Sequence, residues 1–512
     1  YKKNKEIAMK KLISVCAALA CALAMLCTIG AAESAAVSWA YTENTPVISA
    51  AGTYPRLAKL SDGRLLATHG TCVSFSADHG DSWTTTRPLP APQKTAMSAS
   101  HRLNPANHQP FVLPGKGQNG ADLVLIAYRC DTNGFGNATV GTFYTSLRVV
   151  TSLDGGATFG DEIVLIENTC LRRTAAHAKG SSIYSSYRGY WEPMMIRTDD
   201  DTVLLYYADD LSVPADKSPW RQQIRYFSYS IANGTWNTDT TDNIAIDGSV
   251  RTSSTLGSRD GMPSVTRLSD GSFAMVIEAQ DYNARPYIRR DGTKTGTGYA
   301  GLVITLAFSR DGKTWATDKM RPIAAPTNLF TAGSLAAGYS CGAPSITTLP
   351  DGRVAVSYQS NEDYVGSRSI SLPYVVHVIV SNDPLTYDSA ITATEGGVSP
   401  SFTALTSPFA PGDGEYQVWN SVSCFDGYLY ALSSTNVAGK SGRAAVKLNR
   451  ADLIGLTDDL NGDGKFDLAD IRVLLQALAS GTAPTFRADY NGDGAFTLAD
   501  VLYQLRALLH VR

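Results

Sequence analysis

The chain has 512 residues, including 44 glycines and 25 tyrosines, and a formal net charge of −3. The acidic balance argues against nucleic acid as a partner, because a protein surface that binds nucleic acid needs an excess of Lys and Arg to neutralise the phosphates. Five of the eight cysteines lie outside the apolar N-terminal segment. Their odd number and wide spacing indicate neither a disulfide framework nor a zinc site. The length and the turn-forming glycines favour a β-rich domain with room for a small second module.

A basic start, "MKK", precedes an apolar run over residues 12–29 and then the small residues "GAAESAA". This order predicts a secretory signal peptide over residues 1–36 and an exported mature protein. A membrane anchor, or a lipid attached at Cys21 or Cys27, is the alternative. We expect no membrane insertion after cleavage, because no later segment is long and apolar enough to span a bilayer.

One turn-plus-strand pattern recurs along the chain. Its copies are "LSDGRLLATH", "NGADLVLIAYR", "TDDDTVLLYYAD", "LSDGSFAMVIEA", "LPDGRVAVSYQS" and "CFDGYLYALSS". Each copy is a tight turn followed by a short apolar strand, which is typical of a β-hairpin. Their intervals of roughly 60 to 80 residues suit four-stranded blades. The repeat therefore predicts an all-β, six-bladed β-propeller over residues 37–455, whereas a β-sandwich would not require so long and regular a period.

A second repeat has the form Ser-x-Asp-x-Gly-x-Ser/Thr-aromatic. It occurs as "SADHGDSW", "SLDGGATF" and "SRDGKTW", with "SIANGTW" as a weakened copy. Such a motif, an Asp box, is a hairpin turn in which the Asp accepts backbone N–H groups and Gly takes a positive φ, while the aromatic ring packs under the turn. The boxes resemble those of the sialidase-like propeller superfamily, and we expect their role to be structural.

In a propeller, the start of each innermost strand and the end of the next strand face the central cleft. Glu192, in "YRGYWEPMMI", precedes a core strand, and Glu278 closes the apolar strand "FAMVIEAQ". The apolar surroundings predict a protonated carboxyl at Glu278. Two carboxyls in different surroundings suit glycoside hydrolysis. The alternative is that each only pairs with an arginine such as Arg56, Arg129 or Arg259.

The segments "YPRLAKLSDGRLLA", "WEPMM", "GMPSVTRLSDGSFAMVIEAQ" and "GAPSITTLPDGRVAVSYQSNED" resemble the exo-α-1,5-L-arabinanases of glycoside hydrolase family 93, over most of residues 45–450. The resemblance implies a retaining enzyme that releases arabinobiose from the non-reducing end of linear arabinan. It puts the catalytic pair at Glu192 and Glu278, with Asp210 as a third active-site carboxylate. The apolar setting of Glu278 favours it as the acid/base, which leaves Glu192 as the nucleophile.

Other inward-facing side chains complete the predicted site, and Tyr190, Trp191 and Trp419 offer flat faces for sugar rings. The predicted substrate-binding residues are Arg56, His108, Arg129, Trp191, Asp210 and Gln359.

Two other functions remain open. Sialidases share the fold and the Asp boxes, but they need three arginines and a tyrosine nucleophile with a Glu partner. Here "YPRL" supplies one arginine, and no convincing second and third positions follow. A non-catalytic sugar-binding propeller would be expected to lack one of the two glutamates, and both are present.

The C-terminal segment contains two copies of one unit, "DLNGDGKFDLADIRVLLQAL" and "DYNGDGAFTLADVLYQLRAL". Alternating oxygen ligands, a glycine for the sharp turn and an acid at the twelfth position predict one calcium ion in each loop. The predicted ligands are Asp459, Asn461, Asp463, Lys465, Asp467 and Asp470 in the first loop, and Asp489, Asn491, Asp493, Ala495 and Asp500 in the second.

An Asp at the twelfth position and the tandem arrangement at the chain end resemble a type I dockerin, over residues 458–512. The resemblance implies a small all-α module that binds a cohesin of a scaffoldin. It puts Leu468, Ala469, Leu498 and Ala499 at the partner-facing positions. The sequence therefore predicts a secreted enzyme associated with a cellulosome at the cell surface.

Overall fold

A computed structural model describes most of the chain. The described residues are 39–41, 47–49, 51–84, 86–132, 142–160, 162–171, 189–211, 222–247, 260–280, 287–288, 294–295, 302–324, 341–361, 374–395, 400–409, 415–436, 444–453, 460, 468–480 and 496–508. The chain divides into two compact units, one of Ser38–Leu453 and one of Tyr1–Val37 with Ile454–Arg512. The predicted signal peptide lies outside the described residues.

The unit Ser38–Leu453 is a six-bladed β-propeller, as the repeat predicts. Each blade is an antiparallel sheet of four strands that follow one another outward from the axis, and blade 3 has a fifth strand. The first described strand is β1 (Val47–Ser49). Blade 1 consists of β2 (Arg56–Lys59), β3 (Leu65–His69), β4 (Cys72–Ser76) and β5 (Arg87–Pro88). Blade 2 consists of β6 (Leu103–Leu113), β7 (Leu123–Thr132), β8 (Thr142–Ser152) and β9 (Glu162–Leu171). Blade 3 consists of β10 (Tyr190–Arg197), β11 (Thr202–Asp209), β12 (Gln223–Ser230) and β13 (Thr235–Asn237), with β14 (Ile244–Asp247) also paired to β12.

The remaining blades continue in the same order. Blade 4 consists of β15 (Asp260–Arg267), β16 (Phe273–Gln280), β19 (Leu302–Ser309) and β20 (Arg321–Ala324), and a separate hairpin is formed by β17 (Tyr287–Ile288) and β18 (Lys294–Thr295). Blade 5 consists of β21 (Cys341–Thr348), β22 (Val354–Ser360), β23 (Val375–Ser381) and β24 (Phe402–Ala404). Blade 6 consists of β25 (Gln417–Phe425), β26 (Tyr428–Asn436), β27 (Ala444–Asp452) and β1. A helix, α1 (Tyr387–Glu395), joins β23 to β24, and the described residues include 3₁₀ turns at Gln118–Gly120 and Thr317–Lys319.

The two ends of the propeller segment meet in blade 6. Strand β1 pairs antiparallel with β27, with Val47 opposite Lys447. The indole Nε1 of Trp39 also donates to the carbonyl oxygen of Thr406 at 2.7 Å. Hydrogen bonds between distant parts of the chain therefore close the ring of blades.

The core lies between adjacent blades. The second strand of each blade is buried on both faces, because each face packs against a neighbouring blade, which explains why these strands read as nearly continuous apolar runs. Between blades 3 and 4, for example, Leu204 and Tyr206 of β11 form one buried cluster with Met275 and Ile277 of β16. Burial of this kind contributes roughly 25 cal/mol per Å² of apolar area and holds the inner strands in place.

The Asp boxes join third and fourth strands, as expected for a structural role. In the first box, Asp78 accepts the backbone N–H of Ser82 at 2.9 Å and the hydroxyl of Ser76 at 2.8 Å. Gly80 has a φ of 94°, and the indole of Trp83 donates to its carbonyl oxygen at 3.1 Å. The turn thus provides hydrogen-bond partners for its own backbone groups, and it is distant in sequence from Glu192 and Glu278.

The C-terminal unit contains α2 (Leu468–Ser480) and α3 (Leu498–Leu508). Ile471 and Leu474 of α2 pack against Val501 of α3. Within the described part of the chain, no helix combines the length and the apolar character needed to cross a bilayer. Four cysteines of the propeller have free thiols, namely Cys72, Cys130, Cys341 and Cys424.

Candidate active site

A cavity of about 310 Å³ lies on the propeller axis, and residues from the innermost strands of all six blades line it. Near the start of each inner strand, one non-glycine residue has a left-handed backbone conformation. These residues, here called the bulge ring, are Tyr54 (φ 53°), Asn107 (φ 57°), Glu192 (φ 43°), Met262 (φ 51°), Ala343 (φ 49°) and Trp419 (φ 54°). In blades 2 to 6, the strand register shifts at this point by one extra residue, which is a β-bulge.

The bulge ring explains why a charge precedes a core strand at Glu192. A bulge turns one side chain out of the pleat and redirects it, here towards the axial cavity that Glu192 lines. A left-handed conformation costs about 1–3 kcal/mol for a residue other than glycine, and such strain clusters at functional sites. Pro193 follows directly and restricts Glu192 further.

Glu278 approaches the same region from the end of β16. It pairs with Gly261, one residue before the bulge of its own blade, and only 4% of its surface is exposed. Its Oε2 atom accepts a hydrogen bond from the backbone N–H of Ala343, in blade 5, at 3.0 Å. A Cβ atom added to Gly342 would lie 2.8 Å from that oxygen. The glycine of "GAPS" therefore leaves the space that the carboxylate of Glu278 occupies.

In blades 5 and 6, the residue at the position equivalent to Glu278 also accepts a hydrogen bond from a bulge-ring amide of the next blade. The Oε1 atom of Gln359, in blade 5, accepts the backbone N–H of Trp419 at 2.8 Å. The hydroxyl of Ser434, in blade 6, accepts the backbone N–H of Tyr54 at 3.1 Å. Gln359, predicted to bind substrate, thus has its carboxamide oxygen directed to a bulge-ring amide, and this hydrogen bond joins adjacent blades.

Two bulge-ring residues, Tyr54 and Trp419, form an aromatic pair with ring centroids 4.5 Å apart and an interplanar angle of 20°. Burial raises the pKa of Tyr54; the charge of Arg129 acts against this rise, whereas the charges of Glu192 and Glu278 add to it. The phenol is therefore within electrostatic range of both carboxylates. Sequence reasoning did not select Tyr54, because a tyrosine in a short apolar segment is usually part of the core.

Arg56 lies beneath this pair and lines the cavity. Its guanidinium donates to the carbonyl oxygens of Pro55, Trp419 and Asn420 at 2.8, 3.4 and 3.3 Å. Burial lowers the pKa of Arg56 to about 10, and the charge of Glu192 opposes that shift. Arg56 therefore adds a partly buried positive charge to the cavity wall, within electrostatic range of Glu192.

The structure brings Arg129, Trp191 and Asp210 together, and Trp191 contacts each of the other two. The guanidinium carbon of Arg129 lies 5.0 Å from the centroid of the Trp191 ring, and Arg129 also forms an ion pair with Asp131. The indole Nε1 of Trp191 donates to Asp210 Oδ2 at 2.8 Å.

His108 lies elsewhere than predicted. It is buried in blade 2 and stacks on Tyr128, with centroids 4.7 Å apart. Burial lowers its pKa to about 3, so the ring is neutral. The bulge-ring residue of this blade is its neighbour Asn107, which lines the cavity and is 6% exposed. Both polar atoms of the Asn107 carboxamide are buried, and no described residue hydrogen-bonds them.

Two of the predicted calcium ligands fall in the described part of the C-terminal unit. Asp470 and Asp500 are fully buried in the first turns of α2 and α3. Asp470 accepts the backbone N–H of Leu460 at 2.6 Å, and Asp500 accepts that of Thr497 at 2.7 Å. The other nine, Asp459, Asn461, Asp463, Lys465, Asp467, Asp489, Asn491, Asp493 and Ala495, lie outside the described residues.

Comparison with known proteins gives the following likenesses. The chain is similar to the glycoside hydrolase family 93 α-L-arabinofuranosidase of Fusarium graminearum in complex with arabinobiose, with 17% identity, coverage of 81% of this chain and 98% of that chain, and a TM-score of 0.50. The Penicillium chrysogenum α-L-arabinanase complexed with arabinobiose follows, with 17% identity, coverage of 82% and 99%, and a TM-score of 0.48.

A mutant of Trypanosoma rangeli sialidase that displays trans-sialidase activity is more distant, with 11% identity, coverage of 88% of this chain and 60% of that chain, and a TM-score of 0.43. No protein-family model and no curated protein matches the chain. The likeness to the Fusarium enzyme is therefore one of fold, and it agrees with the propeller assembled above.

Proposed function

We propose that the propeller is a retaining glycoside hydrolase that cleaves α-1,5-linked arabinan from the non-reducing end and releases arabinobiose. One observation carries this proposal: Glu192, in blade 3, lines the axial cavity, Glu278 lies beside the inner-strand bulge of the neighbouring blade 4, and Tyr54 is within electrostatic range of both. The fold likeness to an arabinofuranosidase complexed with arabinobiose supports the choice of sugar.

In the proposed mechanism, Glu278 protonates the glycosidic oxygen of the leaving sugar while Glu192 attacks the anomeric carbon. A covalent glycosyl-enzyme forms, and Glu278 then removes a proton from the water that hydrolyses it. Retention by this route requires the two carboxyls to be about 5–5.5 Å apart. The strained backbone of Glu192 suits a nucleophile, because it fixes the carboxylate before the sugar binds.

The surroundings of the arginines favour a neutral sugar over sialic acid. A sialidase needs arginines that converge on the substrate carboxylate. Here Arg56 already donates to three main-chain carbonyl oxygens, and Arg129 is paired with Asp131. Sialidase activity is therefore the second candidate, supported by the presence of a tyrosine beside two glutamates.

We propose in addition that the chain is exported and that its C-terminal unit is a calcium-binding dockerin. The carboxylates of Asp470 and Asp500 are buried at the twelfth position of the two predicted loops, where a calcium loop places its last acidic ligand. With the nine other predicted ligands, they would hold two calcium ions that order the loops. Leu498, on α3, is 53% exposed, which suits contact with a cohesin.

Product analysis tests the catalytic proposal. The mature protein and its Glu192→Gln and Glu278→Gln variants are incubated with debranched linear arabinan, and the products are separated and identified. We expect arabinobiose from the wild type, with the anomeric configuration retained in NMR spectra taken early in the reaction, and none from either variant.

Other products would change the conclusion in defined ways. Hydrolysis of a sialoside but not of arabinan would select the second candidate. A wild type that binds arabinan in isothermal titration but cleaves nothing would indicate a non-catalytic sugar-binding propeller.

A further inference from the structure

The indole of Trp191 is partly buried and contacts several protein groups. Besides Arg129 over its face, the ring of Phe143 lies 6.3 Å away, centroid to centroid, at an interplanar angle of 30°. A Cβ atom on Gly189 would come within 3.0 Å of Trp191 Cζ2 and 2.9 Å of the Thr145 hydroxyl. These contacts hold the ring in place, which differs from the sugar-stacking role that the sequence favours.

Asp210 fixes the remaining edge of the ring. Its Oδ2 atom accepts the indole N–H at 2.8 Å, and its side chain is only 5% exposed. Its backbone N–H donates to the carbonyl oxygen of Gly189 at 3.1 Å, which continues the β10–β11 pairing beyond Tyr190. A buried N–H group that loses its acceptor is costly, so this hydrogen bond helps to hold the ring in place.

Trp191 is bonded directly to Glu192, at the point where the backbone enters its left-handed conformation. A left-handed conformation at a residue other than glycine persists only where the surrounding structure holds it. Trp191 and Met194 are the paired residues on either side of the bulge. The contacts of Trp191 therefore hold one end of the segment that displays the carboxylate.

We propose that Asp210 and Arg129 are positioning residues, which act on the reaction by locking Trp191 and thereby Glu192, and that they do not contact the sugar. The inference rests on the proposed function, in which Glu192 is a reacting group. It assigns to Asp210 the role of a hydrogen-bond acceptor for an indole, for which its negative charge is not required.

Matched substitutions separate this role from substrate binding. Asp210→Ala removes the acceptor, whereas Asp210→Asn keeps an oxygen that the indole N–H can reach. Trp191→Phe keeps a ring under Arg129 but removes the N–H donor. We expect Asp210→Ala and Trp191→Phe each to lower kcat by about 10- to 100-fold, with KM within about 2-fold, because a misplaced reacting group affects the transition state most. Asp210→Asn should restore most of kcat.

The double variant Asp210→Ala/Trp191→Phe should be no slower than the worse single variant, because both changes break the same hydrogen bond. Trp236→Phe is the control, because Trp236 packs on Tyr229 in the outer part of blade 3. Three results would overturn the proposal, because each indicates direct contact with the sugar. The first is that Asp210→Asn lowers kcat as much as Asp210→Ala does, and the second is that the losses of kcat in Asp210→Ala and Trp191→Phe multiply in the double variant. The third is that KM rises in these variants while kcat is unchanged.

A spectroscopic measurement keeps the test independent of arabinan hydrolysis. With ¹⁵N-labelled tryptophan, the Trp191 indole N–H resonance is assigned by its loss in Trp191→Phe. It should shift in Asp210→Ala and stay near its wild-type position in Asp210→Asn. An inactive wild type with these shifts would refute the proposed function but not the hydrogen bond, whereas an unchanged resonance in Asp210→Ala would refute the positioning role itself.

Discussion

The Oε2 atom of Glu278 accepts the backbone N–H of Ala343 across the boundary between blades 4 and 5, at 3.0 Å. A candidate catalytic carboxylate thus also joins two blades. Gln359 makes the equivalent contact in the next blade with an amide oxygen. The fold itself therefore shows that a glutamine at this position preserves the structural contact.

We expect Glu278→Gln to abolish hydrolysis while leaving the thermal unfolding midpoint close to that of the wild type, because the amide oxygen still accepts the Ala343 N–H. Glu278→Ala should instead lower the free energy of unfolding by about 1–3 kcal/mol, because a buried N–H loses its acceptor. Thermal denaturation alongside product assays provides both measurements. Equal stability of the Gln and Ala variants would contradict the structural part of this prediction.

Gly342→Ala should reduce activity more than stability. The new Cβ would lie 2.8 Å from Glu278 Oε2, and the end of a flexible side chain yields more easily than backbone. The carboxylate should move, and we expect kcat to fall by about 10- to 100-fold with a small change in the unfolding midpoint. Gly160→Ala is the control, since its Cβ would meet only the Thr151 carbonyl oxygen at 3.6 Å. An unchanged kcat for Gly342→Ala would show that Glu278 does not need its present position.

Tyr54→Phe should lower kcat by about 10-fold and change the pH dependence of kcat/KM, because the hydroxyl is within electrostatic range of Glu192 and Glu278. The phenyl ring should still stack on Trp419, so substrate binding should be nearly unchanged. Tyr430→Phe, which removes a hydroxyl from the buried second strand of blade 6, is the matched control. A pH profile of Tyr54→Phe that superimposes on that of the wild type would argue against a role in the reaction.

The first Asp box should contribute stability that depends on pH. Hydrogen bonding from the Ser82 hydroxyl is the main cause that lowers the pKa of Asp78 to about 2, from an ordinary value of 3.8. Because the folded-state pKa lies below the unfolded one, the contribution is complete above about pH 4 and is lost as the pH falls towards about 2.

Asp78→Ala should therefore lower the unfolding midpoint clearly at pH 7 and by less near pH 2.5. Asp242→Ala, at an exposed position, serves as the control. The same loss at both pH values would show that the ionised carboxylate is not what stabilises the turn.

Chelation should act on the C-terminal unit. If the loops hold calcium, EDTA should lower the helical circular dichroism signal of the full chain, and titration should return it with two ions bound. Asp470→Ala and Asp500→Ala should each remove one of the two binding events, and Asp242→Ala should remove neither. A signal insensitive to both EDTA and calcium would contradict the dockerin proposal.

The sequence by itself predicted the number of blades and the Asp-box turns, because these depend on local turn chemistry and on strands buried on both faces. It did not predict the left-handed backbone conformation of the bulge-ring residues, such as Tyr54, Asn107 and Glu192.

Only the tertiary structure decided those positions. A left-handed conformation at a tyrosine, an asparagine or a glutamate is imposed by neighbouring blades, so no local propensity reveals it. The same reason separates His108 from its predicted place and directs Asp210 to an indole. Hydrogen bonds between blades join residues far apart along the chain, as Ser434 and Tyr54 are, and such pairs exist only once the ring has closed.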